Sequence, residues 1–212
     1  GDIVGYGSVP ENFTVVSDDG LSGYLLGYAG GETRFVLGGA HNLTNLAAGV
    51  AVARKLGLAE SVIAARIGLV RAVDSRSEVT GGRFCSINDC YNANPESMRA
   101  GLSLLAAARG SRRVAVLADM LELGGDSTRL HGELGEWIAG QDCCDELVLV
   151  GPEMAACAEG ARRRAFPANR LHLFPSREGL ADFLAAFVRD GDTVLFKGSR
   201  GMHLEEVMAV LH

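Results

Sequence analysis

The sequence has neither a long apolar run nor a surplus of positive charge. Its formal net charge is −6 over 212 residues, which gives no electrostatic reason to expect a nucleic acid or an anionic membrane surface as partner. No apolar run approaches the ~20 residues that a membrane-spanning helix needs. The first residues show no basic stretch followed by an apolar core, so we expect no secretory signal and no membrane insertion.

The cysteines are odd in number and show no Cys-x-x-Cys spacing. This pattern argues against a disulfide framework and against a zinc site, and it fits a reducing, cytoplasmic location. Cys90 lies in a polar loop and could be a reactive thiol. No paired base lies near it in the sequence, so a neutral small side chain is favoured. The cysteines are Cys85, Cys90, Cys143, Cys144 and Cys157.

Three common catalytic motifs are also absent. The sequence contains no Gly-x-x-x-x-Gly-Lys-[Ser/Thr] phosphate loop and no Gly-x-Gly-x-x-Gly fingerprint after a strand. No Gly-x-Ser-x-Gly elbow supports a hydrolase triad. The bare pattern therefore predicts an α/β ligand-binding domain together with part of another domain.

From residue 83 onward, short apolar strands alternate regularly with amphipathic helices. Such alternation predicts an α/β domain with a mainly parallel sheet and helices on both faces. The predicted strands are 83–88, 113–117, 146–150, 171–174 and 193–196, and the predicted helices are 96–108, 127–140, 153–165, 177–189 and 203–211.

The first part of the chain is different. Strand-like segments separated by turn clusters predict an antiparallel meander. The meander starts abruptly at residues 1–7 with no helix to cover it, which suggests a missing segment upstream. The strand-like segments are 13–17, 23–28 and 33–37.

Two helices follow the meander, the first capped by Asn42 or Thr44 and the second over about 61–70. The polar and aperiodic stretch 73–82 is then interpreted as a hinge. The predicted domains are 1–75 and 76–212.

The most informative stretch is the polar loop after the first strand of the second domain. Asp89, Tyr91, Asn92 and Asn94 crowd this loop, although Asn94 as N-cap with Pro95 in the first turn would be enough to start the helix. A loop at the carboxyl end of a parallel strand, beside a helix N-terminus, favours anionic ligands. The loop could be a helix cap and nothing more, but a ligand-binding loop is favoured.

A second loop with binding chemistry follows the last predicted strand. Lys197 and Arg200 flank Gly198 and Ser199, and two cations with a hydroxyl beside a helix N-terminus suit a carboxylate or phosphate. The glycines could also be simple turn residues. Because the carboxyl ends of parallel strands meet at one sheet edge, we expect this loop and the Asp89 loop to form one cleft.

Residues before and within the hinge offer a third set of binding groups. His41, Asn42 and Asn45 lie at a helix start, where both amides share a face and could hydrogen-bond one planar heterocycle. They could equally be caps with a core-edge histidine. Arg76 could reach an anion held between the domains, or it could be a solvated surface arginine.

Four stretches, in order, resemble signature motifs of the Mur ligase family. They are 39–45 (Gly-Ala-His-Asn-Leu-Thr-Asn), 89–98 (Asp-Cys-Tyr-Asn-Ala-Asn-Pro-Glu-Ser-Met), 116–124 (Val-Leu-Ala-Asp-Met-Leu-Glu-Leu-Gly) followed by His131, and 197–202 (Lys-Gly-Ser-Arg-Gly-Met) followed by Glu205. The Tyr-Asn-Ala-Asn-Pro and Lys-Gly-Ser-Arg sequences point to the member that adds D-alanyl-D-alanine to UDP-N-acetylmuramoyl-tripeptide. The chain departs from the family pattern at Asn88, where an acidic residue is common, and at Ala118, where glycine is usual.

The resemblance implies an ATP-dependent amide ligase of peptidoglycan precursor synthesis, which serves the cell wall, cell shape and cell division. Residues 1–75 would be the latter part of the central ATP-binding domain, and 76–212 the C-terminal Rossmann-like domain. The phosphate loop and the Mg²⁺ ligands are expected upstream, so this chain would hold no metal ligand and no complete catalytic set. It is expected to be inactive without the missing segments.

The resemblance also implies roles for single residues. Asn42 and Asn45 would hold the adenine of ATP, Arg76 would reach the phosphates, and Asp89 would accept from the ribose hydroxyls. His41 and Tyr91 would lie nearby. The residues expected to face the peptide substrates are Asn92, Asn94, Lys197, Ser199 and Arg200.

Two alternatives remain from the sequence. One is a sibling ligase that adds another amino acid, and the other is a non-catalytic binding module, because a fold does not fix a function. For the ligase, we expect Asp89→Ala to raise the requirement for ATP far more than it lowers stability.

Overall fold

The computed structural model describes residues 12–73, 75–108 and 110–211. It divides the chain into two compact units between Ala72 and Val73, each with its own hydrophobic core. Within the described ranges, no helix is both long and apolar enough to cross a membrane. The abrupt start at 1–7 lies outside the described residues.

The N-terminal unit contains the predicted antiparallel meander and two helices. Strands β1 (Thr14–Asp18), β2 (Tyr24–Tyr28) and β3 (Gly31–Phe35) pair in that order. Helices α1 (Ala40–Lys55) and α2 (Glu60–Ile67) follow. Alternate residues of β2 are buried, because successive side chains of a strand point to opposite faces. They share one core with apolar residues of both helices.

The expected cap of the first helix is wrong. Helix α1 begins at Ala40, after Gly39, whose φ of +90° is unfavourable for other residues. Asn42 therefore lies inside the first turn, and its Nδ2 donates to the carbonyl oxygen of Gly38 at 2.8 Å. Thr44 Oγ1 donates to the carbonyl oxygen of Ala40 at 3.3 Å. Both side chains return to the preceding backbone and leave the first N–H groups uncapped.

The C-terminal unit is a six-stranded α/β sheet. Its strands are β4 (Glu78–Thr80), β5 (Cys85–Asp89), β6 (Arg113–Ala118), β7 (Glu146–Val150), β8 (Leu171–Phe174) and β9 (Thr193–Lys197). Its helices are α3 (Pro95–Ala106), α4 (Ser127–Ala139), α5 (Met154–Arg163), α6 (Leu180–Phe187) and α7 (Leu204–Leu211). The strand order is β4-β5-β9-β6-β7-β8. All neighbours are parallel except β4 and β5, so the predicted mainly parallel sheet is confirmed.

One strand was not predicted. The sequence pattern of 73–82 indicates only a hinge, yet this stretch contains β4, which pairs antiparallel with β5. All three residues of β4 are exposed, so the strand carries none of the apolar periodicity that marks a buried strand.

The two faces of the sheet pack against different helices. In β9, Val194 and Phe196 share a core with α6 and α7. The alternate residues Leu195 and Lys197 point the other way and lie against Gly101 of α3. Every residue of β9 is buried, as expected for a central parallel strand covered on both sides.

The loop after β5 starts α3 as predicted. Ser97 N donates to Asn94 Oδ1 at 2.8 Å, and Asn94 N donates to Ser97 Oγ at 3.0 Å. This reciprocal pair satisfies two otherwise unpaired donors at the helix start, with Pro95 in the first turn. Because β5, β9 and β6 are parallel neighbours, the loops that follow these three strands lie at the same edge of the sheet.

Candidate functional site

Strands β5 and β9 end side by side, and their last residues form a sheltered ion pair. Asp89 and Lys197 are register partners in these parallel strands. Lys197 Nζ lies 2.6 Å from Asp89 Oδ2, and the Lys197 and Asp89 side chains are 2% and 15% exposed. Such a pair is weakly screened by solvent, and loss of one partner leaves an uncompensated charge. The structure therefore brings the two predicted binding loops together.

Asp89 also holds the segment that precedes β4. Its Oδ1 accepts the N–H of Ser77 at 3.1 Å. An ionised carboxylate offers about four lone-pair sites, and the contacts from Ser77 and Lys197 use one on each oxygen. Because the side chain is also partly exposed, Asp89 retains the capacity to accept from the hydroxyl groups of a ligand.

The side chains of two arginines from distant parts of the chain lie over the aromatic ring of Tyr91. The guanidinium carbon of Arg76 lies 4.0 Å from the centre of the Tyr91 ring, and that of Arg200 lies 5.6 Å from it. Both distances are within the range of cation–π attraction. Both arginines are exposed, and neither has a carboxylate at ion-pair distance among the residues the structure describes. Among the described residues, the ring therefore gathers two cations that no carboxylate pairs, two positions after Asp89 in the sequence, and such cations attract phosphate or carboxylate groups.

The other predicted peptide-facing residues make local contacts. Asn92 Oδ1 accepts the N–H of Ala93 at 2.8 Å, and Asn94 caps α3. Ser199 is buried, and its Oγ accepts the N–H of Leu121 at 2.8 Å. The two asparagines are exposed and keep amide groups at the surface, whereas Ser199 fastens the loop after β6.

Two buried polar side chains hold the loop after β6 in place. Asp119 Oδ1 accepts the N–H of Met154 at 3.0 Å, at the start of α5, and burial raises the pKa of this carboxyl group. His131 Nε2 accepts the N–H of Met120 at 3.0 Å, and its Nδ1 lies 2.8 Å from the carbonyl oxygen of Ser127. These partners select the tautomer in which Nδ1 carries a proton. Both side chains are used for positioning the loop.

Cys90 is not a reactive thiol. Its side chain is buried, and its Sγ lies 3.3 Å from the carbonyl oxygen of Phe196. Burial raises the pKa of Cys90 to about 12, so the nucleophilic thiolate is scarce at neutral pH. The favoured interpretation of a neutral small residue agrees with this environment.

Two contributors to the site were missed by sequence reasoning. Ser77 contributes through its backbone N–H, which any residue except proline could supply, so its identity carries no signal. Gly101 lies in α3, where an added Cβ would approach Lys197 Cδ to 2.9 Å. A glycine inside a predicted helix was the available signal, because glycine is unfavourable there.

The remaining predicted residues belong to the N-terminal unit. His41, Asn42 and Asn45 lie in the first two turns of α1. Asn42 is buried, Asn45 is exposed, and His41 is intermediate. Because one N–H of Asn42 Nδ2 donates to the carbonyl oxygen of Gly38, its Oδ1 and its second N–H remain for a ligand.

No metal centre is found in the described part of the chain. Among those residues, no three histidine, cysteine, aspartate or glutamate side chains are grouped so that they could hold a metal ion. We therefore assign none of the described residues to Mg²⁺.

Comparison with known protein sequences identifies relatives over most of the chain. The ligase that joins UDP-N-acetylmuramoyl-tripeptide and D-alanyl-D-alanine in Treponema pallidum is 35% identical over 93% of this chain and 43% of its own length. The Bacillus subtilis protein of the same name is 34% identical over 80% of this chain and 37% of its own length. The chain thus spans less than half the length of these relatives.

Solved structures give the same result. MurF from Acinetobacter baumannii superimposes with a TM-score of 0.79 at 29% identity, over 94% of this chain and 44% of that protein. MurF from Thermotoga maritima in complex with ADP gives a TM-score of 0.73 at 26% identity, over 93% of this chain and 44% of that protein. The family description "Mur ligase, glutamate ligase domain" matches residues 75–200. The resemblance inferred from four short motifs is confirmed, and the chain belongs to the Mur ligase family.

Proposed function

We propose that this chain is part of an ATP-dependent ligase that joins D-alanyl-D-alanine to UDP-N-acetylmuramoyl-tripeptide. The observation that carries the proposal is made at the end of β5, where Asp89 pairs with Lys197 and, two residues later, Tyr91 lies under Arg76 and Arg200. A carboxylate suits a ribose diol, and two cations suit phosphates and carboxylates. The names of the most similar relatives support the choice of substrates.

The proposed reaction forms an acyl phosphate. The γ-phosphoryl group of ATP passes to the terminal carboxylate of the tripeptide, leaving ADP. The amine of D-alanyl-D-alanine loses its ammonium proton and attacks the acyl carbon, and inorganic phosphate departs as the amide bond forms. Catalysis of such steps depends mainly on positioning and on cations, including Mg²⁺ when bound.

The residues of this chain would bind and orient the substrates. Asp89 accepts from the ribose hydroxyls, and Arg76 donates to the phosphates. Asn42 and Asn45, with His41 nearby, hydrogen-bond the adenine. The side chains that border the peptide substrates are Asn92, Asn94, Ser199 and Arg200.

We also propose that 1–75 is the latter part of an ATP-binding domain and that 76–212 is the C-terminal domain. The phosphate loop must then come from another part of the protein, because the chain contains no such sequence. A reaction that consumes ATP, in a chain with five free thiols, fits the cytoplasm. We infer that this chain alone does not catalyse the ligation.

Phosphate release tests the proposal. The assay contains ATP, Mg²⁺, UDP-N-acetylmuramoyl-tripeptide and D-alanyl-D-alanine, with either this chain, the full-length protein, or this chain plus a segment that supplies the phosphate loop. We expect release only where the loop is present, and only with all substrates. A folded full-length protein that releases no phosphate contradicts the proposal. Turnover with a single amino acid instead of the dipeptide would identify a sibling ligase.

A further inference from the structure

Lys197 occupies an unusual position for a lysine in this chain. Of the 20 lysine and arginine residues, only Lys55 and Lys197 are lysines. Lys55 is exposed at the end of α1, whereas the side chain of Lys197 is 2% exposed. An ammonium group enclosed in this way has little surface left for a substrate. Arg200, three residues later, is exposed and has no carboxylate at ion-pair distance within the described residues.

The ammonium group of Lys197 donates to the last residue of β5 and to the loop that follows. Lys197 Nζ lies 2.6 Å from Asp89 Oδ2 and 3.2 Å from the carbonyl oxygen of Asn92. An ammonium group has three N–H donors, and two of them are therefore used within the protein. Asp89 ends β5 and carries the proposed ribose contact, and Asn92 lies in the loop that follows. Lys197 therefore ties the end of β5 and the start of that loop to the end of β9.

Helix α3 limits the space around the ion pair between Asp89 and Lys197. A Cβ added to Gly101 would lie 2.9 Å from Lys197 Cδ and 3.4 Å from Asp89 Oδ2. The first distance is too short for an ordinary contact, so a side chain at this position would displace the lysine. The absence of a side chain at Gly101 thus allows the Lys197 stem to reach Asp89 from the covered face of the sheet.

We propose that Lys197 is a positioning residue for the nucleotide and not a contact of the peptide substrate. It fixes the Asp89 carboxylate so that the lone pairs not used by Ser77 and Lys197 accept from the ribose hydroxyls. This replaces the expectation that Lys197 faces the peptide. The inference rests on the proposed function, because it requires a nucleotide at Asp89.

Calorimetric titration of the full-length protein with ADP tests this role. Lys197→Met should weaken ADP binding by roughly tenfold or more, as expected for losing one charge-assisted hydrogen bond. The KM for D-alanyl-D-alanine should stay unchanged. Lys55→Met is the matched control, because it removes the other lysine and should leave both values unchanged.

A double-mutant cycle distinguishes an indirect role from a direct one. If Lys197 acts through Asp89, the Asp89→Asn/Lys197→Met protein should bind ADP no more weakly than Asp89→Asn alone, because coupled residues are not additive. Additive losses would contradict the inference, as would a raised KM for the dipeptide with unchanged ADP affinity. A wild-type protein that binds no ADP would instead remove the proposed function, and this inference with it.

A second variant keeps the test valid if Lys197→Met does not fold. Gly101→Ala retains every charge but moves the Lys197 stem, so it should also weaken ADP binding. Gly132→Ala in α4 is its control, since a Cβ there meets its nearest atom at 3.5 Å. Thermal unfolding of each variant identifies those that are folded. Equal ADP affinity of folded Gly101→Ala and Gly132→Ala would overturn the positioning role.

Discussion

At the scale of single residues, the ion pair between Asp89 and Lys197 changes what a substitution at Asp89 reports. The sequence suggested that Asp89→Ala would affect the requirement for ATP far more than stability. In the structure, Asp89 is the counter-ion of an ammonium group whose side chain is 2% exposed. Loss of the carboxylate therefore has a folding cost of its own.

We expect Asp89→Ala to lower the free energy of unfolding by about 3–5 kcal/mol, because it leaves a buried charge unpaired. Asp89→Ala/Lys197→Met should recover most of that loss, since it removes both charges. Urea denaturation of the single and double variants measures the difference. Equal stability of the two variants would show that the pair is not sheltered.

Asp119 should make the stability of the C-terminal unit depend on pH. Burial raises the pKa of this carboxyl group in the folded state, so the folded protein holds the proton more tightly than the unfolded chain does. The contribution of Asp119 to stability is fully present below the pKa of the group in the unfolded chain, about 3.9. It is lost as the pH rises through the pKa of the group in the folded protein.

The variant Asp119→Asn isolates this effect. The free energy of unfolding of the wild-type protein, relative to that of Asp119→Asn, should fall as the pH rises from about 4 to 7. Denaturation curves at several pH values measure it. Asp182→Asn, at an exposed position, is the control for removing a carboxylate. A relative stability that rises over this range would contradict the assigned direction.

The residues of the site differ in how far the sequence could predict them. Asp89 and Tyr91 were identifiable because a polar loop between a buried strand and a helix start is typical of ligand sites in α/β proteins. The contact from Ser77 was not, because it uses a backbone N–H. The pairing of Asp89 with Lys197 was not predictable either, because it depends on which strands are neighbours in the sheet.

At the scale of secondary structure elements, helix α3 presents the candidate site through its capped start. Asn94 has two suggested tasks, as the cap that accepts from Ser97 N and as a substrate contact. The cap needs only an oxygen acceptor, whereas a substrate contact could also use the amide donors. The two tasks can therefore be separated by substitution.

We expect Asn94→Ala to lower the free energy of unfolding by about 1 kcal/mol, through loss of the cap. Asn94→Asp should keep the stability, because aspartate caps equally well, and only a substrate contact would make it raise the KM for the dipeptide. Denaturation and steady-state kinetics give the two values. Asn92→Ala, in the same loop and outside the helix cap, is the control for the stability measurement, because Asn92 is itself proposed to border the peptide substrates.

Apolar strands were predicted with accurate bounds, whereas one short polar strand and one helix start were not. The strand predicted at 146–150 has the same bounds in the structure, because its apolar residues are continuous. Strand β4 was missed because it is short and fully exposed. Helix α6 was expected from 177 but begins at Leu180, after Gly179 with its positive φ of +72°. A single residue with positive φ, such as Gly179, is only weakly predictable from the sequence.

At the scale of the whole molecule, the order of the strands assembles the site. Strand β9 comes last in the chain yet lies between β5 and β6. This insertion places Lys197 beside Asp89, 108 positions earlier in the sequence. Sequence patterns predicted that these strands share a sheet. The order of the strands within the sheet depends on how the helices pack, and the periodicity of apolar residues does not describe that packing.

Because each unit has its own core, we expect residues 73–212 to fold when produced alone. Their core joins strands β6, β7 and β9 with helices α6 and α7, and a separate core is the property that lets a domain fold independently. Circular dichroism during urea unfolding should show one cooperative transition. Val194→Asp, which places a charge in that core, should abolish it, and a gradual change in the unsubstituted segment would contradict the expectation.

The enclosure of the Lys197 ammonium group also bears on acylation of the protein. Acetyl donors react with free amines at a surface, and acetylation removes the positive charge of the lysine they reach. In the described part of the chain, Lys55 is open to such reagents, and Lys197 is shielded by Asp89 and Gly101. An acetyl group found on Lys197 would therefore record a time when the C-terminal unit was unfolded.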